Sequence, residues 1–193
     1  MTMTVAEAIS SRRATRKFTD QVPTDEVVDR VAFHALEAPS AFNSQMRELV
    51  VIRDPKVKQA IFEASKQRQF LDAPVIFVTV ARYEASTDDA EEILGKERAD
   101  WVRGYRENQD HAALREAAQK DAGILTGFLL LAAQAEGLAT SPTTGWREDA
   151  VKEAIGLAGR EDRGICLVVA AGYPDEEPTH PGRAVNRRID DRY

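Results

Sequence analysis

Apolar positions follow two distinct periods along the chain. The run "APVIFVTVAR", residues 73–82, is apolar almost without interruption and predicts a strand buried on both faces. "ELVVIRD", residues 48–54, predicts a strand stopped at Asp54-Pro55, with a short helix next in "KVKQAIFEAS". The helical period is clear in residues 22–40, where Val27, Val31 and Leu36, with Val28 and Ala35 beside them, keep one face apolar. Thr24 is its expected N-cap, Asp25 and Glu26 suit the positive end of the helix dipole, and Pro39 disfavours helix at the residue before it. Thr4 is expected to cap a first helix in "VAEAISSRR", with Glu7 in its first turn. Residues 121–137, "DAGILTGFLLLAAQAEG", are apolar nearly all round. They predict a helix buried in the domain or against a second subunit, with Gly137 as the C-cap. A strand-like "LATS", a turn "PTTGW", a helix from about Arg147 and the strand "GICLVVAAGY" complete the pattern. Between the apolar segments, residues 84–120 are highly charged with Trp101 and Tyr105 at helical spacing. That predicts a helical region which is mobile or covers a partner. Helices and strands mix without strict alternation, and no repeat or linker divides the chain. The expectation is one α+β domain over residues 1–193, a sheet of about four strands with helices packed on it.

Composition narrows the function classes. With 193 residues, 43% hydrophobic and 30% charged, the chain suits a globular protein with a real core. A net charge of −6 argues against general nucleic-acid binding, which needs a basic face. The N-terminus lacks the basic and apolar regions of a signal peptide, and the longest apolar stretch, "FLLLAA", is too short to cross a bilayer. Cys166 stands alone, so a disulfide framework and a cysteine metal site are excluded and a cytoplasmic location is expected.

Residue-borne chemistry is thin. His34, His111 and His180 lack metal-ligand spacing, and no nucleophile elbow, phosphate loop or dinucleotide fingerprint occurs. Gly123 and Gly127 lie inside a helix, where close packing explains them, and Cys166 reads as an inert core thiol. No catalytic side chain and no metal are expected, so in an enzyme a bound cofactor would carry the reaction. Against this background one stretch stands out: "ISSRRATRKF", residues 9–18, gathers Arg12, Arg13, Arg16 and Lys17 near the front of an acidic protein.

Three segments in order, "RRATRKF", "APSAFNSQ" and "GLATSPTTGW", together resemble the FMN-dependent nitroreductase family, over almost the whole chain. The resemblance implies an α+β fold with a central, mainly antiparallel sheet of four to five strands flanked by helices. It also implies a homodimer with FMN at the interface. In that family's pattern Arg12 binds the FMN phosphate, with Arg13 and the backbone of Ala14 beside it and Arg16 towards the N1/O2 edge of the flavin. Ala14 replaces a common serine. Ser40, Ala41 and Asn43 match a loop that the partner subunit lays along the phosphate, ribityl chain and ring. Met46 and Arg47 stand where the family often has proline and an aromatic residue, which affects the shape and charge of the substrate side. "ASKQRQFLDAPVIF" resembles the segment approaching the flavin pyrimidine, with Lys66 and Gln69 as candidates and Gln67 adjacent. Pro142, Thr143, Thr144 and Gly145 match the loop over the central ring, where the N–H of Thr144 or Gly145 is expected to donate to N5, and Trp146 is expected to pack. Either Arg183 or Arg187 is the counterpart of a C-terminal cation that reaches the phosphate, Arg183 being preferred. The activity implied is hydride transfer from NADH or NADPH through FMN to an electron-poor small molecule, a nitroaromatic or quinone, with ping-pong kinetics. Aldehyde or enone reductases, dehalogenases and a flavin-binding sensor with little turnover are the alternatives that the same resemblance leaves open.

Overall fold

The computed structural model describes residues 3–192. Met1, Thr2 and Tyr193, which the expected domain span includes, lie outside the described residues. The chain begins with α1 (Val5–Ser11) and α2 (Asp25–Leu36), then β1 (Arg47–Ile52), α3 (Pro55–Ser65), α4 (Gln69–Asp72) and β2 (Val75–Arg82). α5 (Ala90–Leu94), α6 (Lys96–Glu107) and α7 (His111–Ala135) follow, and the chain ends with β3 (Ala139–Thr143), α8 (Glu148–Ala154) and β4 (Arg163–Gly172).

Local chemistry sets the helix boundaries. Thr4 and Glu7 form a reciprocal capping box on α1, the Glu7 N–H donating to Thr4 Oγ1 and the Thr4 N–H to Glu7 Oε2. Thr24 Oγ1 accepts from the Val27 N–H at the start of α2. Asp54 caps α3, and Pro55 occupies its first turn, where a missing N–H costs nothing. α7 ends in a left-handed Gly137 (φ 78°), with Leu138 N–H donating to Ala133 O and Gly137 N–H to Gln134 O.

The four strands form one antiparallel sheet in the order β1-β2-β4-β3. β2 lies inside it and its side chains alternate between two cores. Ile76, Val78 and Val80 meet Ile61, Phe70, Val151 and Ile165 on the face covered by α3 and α8. Val75 and Phe77 meet Val28, Val31, Leu129 and Val169 under α2 and α7. The polar exception, Thr79, is fully satisfied. Its Oγ1 accepts from Leu167 N–H and from Thr126 Oγ1, at a register shift in the β2–β4 ladder.

Three expectations need correcting. The long helix starts at His111 rather than Asp121, because the charged residues ahead of the apolar run continue the same helix with their polar faces outward. The rest of the charged region forms α5 and α6. Pro142 and Thr143 belong to β3 rather than a turn; β3 is an edge strand, where a proline removes no interior ladder bond. Leu36 leaves the buried stripe of Val28, Val31 and Ala35 and stands 47% exposed beside Phe33 on the outer face of α2.

The β4 start shows how tightly the sheet end is packed. A Cβ on Gly164 would fall 1.5 Å from the hydroxyl oxygen of buried Tyr83, which itself accepts from Gln119 Nε2 at 2.9 Å. Gly164→Ala is therefore expected to displace the ring and destabilise the fold by about 1–3 kcal/mol. Calorimetry should record a melting temperature lower by about 2–4 °C for each kcal/mol; an unchanged transition would mean that the strand yields instead.

Candidate functional site

The four cations of the N-terminal segment sit on a short extended stretch fixed to the outer edge of β3. Ala14 bridges Thr140, and the Thr15 N–H donates to Thr140 O at 3.0 Å. Further on, Phe18 bridges Pro174 and Thr19 N–H donates to Tyr173 O. The C-terminal tail returns over this stretch, so that Arg12, Arg13, Ala14, Arg16 and Arg183 line one small cavity with Pro178, Thr179 and Pro181. Its volume is 330 Å³. Arg187 is exposed in the tail and does not line it.

Arg12 is the group in this corner with unmet bonding. Its Nη1 is buried and has no acceptor among the described residues. Burial, then the charges of Arg183 and Arg13, push its guanidinium down from the ordinary value. Arg13 is partly engaged, Nη1 donating to Ser10 O and Arg12 O at the end of α1. The N–H groups of Arg16 and Lys17 are also used, both donating to Glu176 Oε1. The corner is suited to an anion that accepts from Arg12, and a phosphate dianion has that chemistry.

About four residues along β3 from the Ala14–Thr140 bridge, roughly 13 Å at strand rise, the chain turns at Thr144 and Gly145. A network of amides and hydroxyls holds this turn. Gln67 Nε2 donates to Gly145 O at 2.8 Å and Thr143 Oγ1 to Gln67 Oε1 at 3.2 Å. Gln69, itself buried, donates to Gln67 Oε1 at 2.9 Å. Trp146 packs on the α3/α8 core and donates from Nε1 to Thr143 O. Among the described residues nothing accepts from the N–H of Thr144 or of Gly145. A Cβ on Gly145 would meet only Gln67 Nε2, at an ordinary 3.5 Å, so the chain itself gives no reason for a glycine there. Lys66 adjoins this network. It is the left-handed C-cap of α3 (φ 58°), and its ammonium pairs with Glu63 one turn back.

The remaining candidates, Ser40, Ala41 and Asn43, lie elsewhere. They precede β1, whose first residue, Arg47, faces Ala81, which in turn faces Gly164 on β4. Thr140, beside the cationic corner, faces Ala171 on β4. Seven residues along β4 and three strand spacings across the sheet separate Arg47, just after the loop, from Thr140, beside the corner, by roughly 27 Å. α7 repeats the measure: its Gln134 donates to Ser11 and its Asp121 accepts from Met46 N–H, thirteen residues and about 20 Å apart. One chain brings together Arg12, Arg13, Ala14, Arg16 and Arg183 in a cavity, and Gln67, Gln69, Thr143, Thr144 and Gly145 further along the same edge. It does not bring Ser40, Ala41 and Asn43 into the cationic cavity.

That distant loop is strained and clamped. Phe42, Asn43 and Gln45 have φ of 60°, 57° and 48°, a left-handed backbone rarely adopted without glycine. The clamps include residues that a reading of the sequence missed. Arg47, which stands where an effect on the substrate side was expected, instead turns inward. It is 6% exposed and donates to the carbonyls of Leu36, Ala38 and Pro39 at the end of α2. Asp121 accepts from Met46 N–H at 3.3 Å, and burial pushes its carboxyl up while Arg47 and Arg106 oppose the shift. Arg106 of α6 donates from Nη2 to Ser44 Oγ at 2.7 Å. One signal was present: Asp121 recurs at helical spacing within the buried stripe of Ala118, Ala122 and Leu125. Cys166, on β4, is half-buried, and burial pushes its thiol up.

The nitroreductase family model matches residues 9–173, which include both ends of this arrangement. The chain belongs to the nitroreductase family. It is 31% identical over 188 residues to a protein of Thermus thermophilus named NADH dehydrogenase, covering 90% of this chain and 89% of that one. The DrgA protein of Synechocystis is 29% identical over 196 residues, covering 94% and 88%. The nitroreductase fold is also seen in a protein of Exiguobacterium sibiricum solved in complex with FMN, which superposes with a TM-score of 0.83 at 20% identity over 95% of both chains.

Proposed function

We propose that the chain is a single-domain, FMN-dependent oxidoreductase of the nitroreductase type, acting as a cytoplasmic homodimer with NADH or NADPH as donor. The observation that carries this reading is Arg12, whose buried Nη1 lacks an acceptor beside Arg13 and Arg183. The FMN phosphate would give that group its acceptor and offset the mutual repulsion of the guanidinium groups. Bound FMN supplies the centre that takes hydride from a nicotinamide and passes it to an acceptor. The chain's own residues bind and orient. Arg12 and Arg183 hold the phosphate, and Arg16 contributes positive charge on the pyrimidine side. The unused N–H groups of Thr144 and Gly145, fixed by Gln67 and Gln69, offer donors over the ring. The name of the Thermus relative and the FMN in the Exiguobacterium protein support this assignment.

A homodimer follows from the same reading. Ser40, Ala41 and Asn43 lie too far from the cationic corner to reach the same flavin within one chain, so they would serve the site of a second copy. The surface between the two corners is apolar: Val5, Ile9, Phe33, Ile124 and Phe128 are exposed on α1, α2 and α7. Gly123 and Gly127 on α7 have nothing within 4 Å of where a Cβ would lie, so the close packing their composition implies needs a partner. The acceptor is an electron-poor small molecule, a nitroaromatic or quinone, that alternates with the nicotinamide in a ping-pong cycle.

Purified protein is expected to carry flavin absorbance that bleaches anaerobically with NADH or NADPH. Bands that persist would favour a binding or sensing role, and a colourless protein that takes up no FMN would overturn the assignment. Arg12→Ala is expected to cost about 1.5–3 kcal/mol of cofactor binding, seen as a roughly tenfold to hundredfold rise in FMN Kd; an unchanged Kd removes Arg12 from the site. Gly127→Leu substitutes an exposed position where an added Cβ meets nothing within 4 Å in its own chain. It is expected to shift sedimentation from dimer to monomer with loss of FMN, whereas an intact dimer would take this face out of the interface.

A further inference from the structure

We infer that Arg106 is a positioning residue for the flavin, acting through Ser44 on the loop that presents Ser40, Ala41 and Asn43; this rests on the cofactor reading above. The loop carries backbone strain. Three of its residues have left-handed φ without being glycine, each an arrangement that costs of order 1–3 kcal/mol unless its surroundings impose it. Its internal bonds are Asn43 N–H to Ser40 O, Ser44 N–H and Oγ to Ala41 O, Gln45 N–H to Ser40 Oγ and a long one from Gln45 Nε2 to Asn43 Oδ1.

Arg106 adds a clamp from outside. It stands on α6, sixty-two residues away in sequence, and is 2% exposed. Its Nη2 donates to Ser44 Oγ at 2.7 Å, and that hydroxyl in turn donates to Ala41 O at 2.8 Å. The chain of donors therefore runs from α6 into the backbone of a candidate flavin-contacting residue. Burying a guanidinium is costly, and here Nε and Nη1 have no acceptor among the described residues. Packing alone would be served better by an aliphatic side chain of similar length. What the guanidinium provides that such a chain would not is the directed bond to Ser44 and a positive charge facing Asp121, which holds the loop at Met46. α6 grips the loop a second time, as Phe42 packs edge-on against Trp101 and Tyr105 with ring centroids 5.4 and 5.5 Å away. Helix and loop thus form one unit in which Arg106 fixes the polar side and the aromatic cluster the apolar side.

The test uses the FMN-loaded full chain and three variants: Ser44→Ala, Arg106→Met and Arg106→Lys. FMN Kd and the flavin midpoint potential are measured for each. Val102→Ala, a buried α6 substitution one turn before Arg106, serves as a control for a general loss of α6 packing. Ser44→Ala and Arg106→Met are expected to raise the FMN Kd at least tenfold and to move the potential, with Arg106→Lys restoring part of both. Val102→Ala is expected to lower the melting temperature without moving the potential. Wild-type Kd and potential in Ser44→Ala overturn the assignment even where Arg106→Met fails to fold, and an equal shift in Val102→Ala reduces Arg106 to a core residue. A wild-type chain that binds no FMN would instead overturn the cofactor reading, and this inference with it.

Discussion

The register of β4 against its two neighbours is the constraint on which the candidate site depends. It fixes the cationic corner beside β3 and the strained loop before β1 at opposite ends of one sheet diagonal. Backbone hydrogen bonds on both sides of β4 hold that separation, and α7 braces it by touching Ser11 near one end and Met46 near the other. A rigid sheet cannot fold back on itself to close such a gap. A ligand shorter than that gap can meet both corners only if the second belongs to another molecule, which is why the proposed flavin site and the proposed dimer are linked.

Charge explains why an acidic chain keeps so many cations in one place. Several guanidinium groups elsewhere are neutralised by carboxylates: Arg163 meets Glu48, Glu84 and Asp162, and Arg82 shares Glu48 and Glu84. Among the described residues no carboxylate pairs with the side chains of Arg12, Arg13, Arg16 or Arg183. The nearby acid, Glu176, is spent on backbone N–H groups. Ordinary folding gains nothing from gathering like charges around a half-buried guanidinium. A bound dianion reverses the sign of that balance, so the fold tolerates in isolation what the ligand would stabilise.

Much of the architecture was legible because its causes are local. The caps at Thr4 and Thr24, the break at Asp54-Pro55, the doubly buried run of β2 and the left-handed Gly137 each follow from a few adjacent residues. The candidate segments at Arg12 and at Gly145 stood out for the same reason. What escaped depends on partners distant in sequence. Asp121 looked like the first residue of an apolar helix, since nothing nearby reveals that Met46 donates to it. Arg47 looked like a substrate-side residue, yet its partners are carbonyls that only the end of α2 brings within reach. Leu36 fits the apolar stripe by period but falls just outside the sector that the sheet covers. The distance between the two corners was not legible at all, because it is a property of strand order and not of any motif.

The loop at 40–45 shows how those two kinds of information meet. Its residue types are suited to contact a ligand: Asn43 has both donor and acceptor capacity and tolerates a left-handed backbone better than most side chains. Phe42 and Gln45 do not share that tolerance, and the sequence alone would favour a different loop. The observed shape persists because α2, α6 and α7 each hold it, through the carbonyls bound by Arg47, the hydroxyl bound by Arg106 and the amide bound by Asp121. Two of these anchors are arginines buried at the cost of desolvation, and the third is a carboxylate that both arginines help to keep charged. Three buried charges would be a poor way to stabilise a surface loop. They are a reasonable way to keep one loop in one shape, which is what a loop must have if it is to meet a flavin held by another chain.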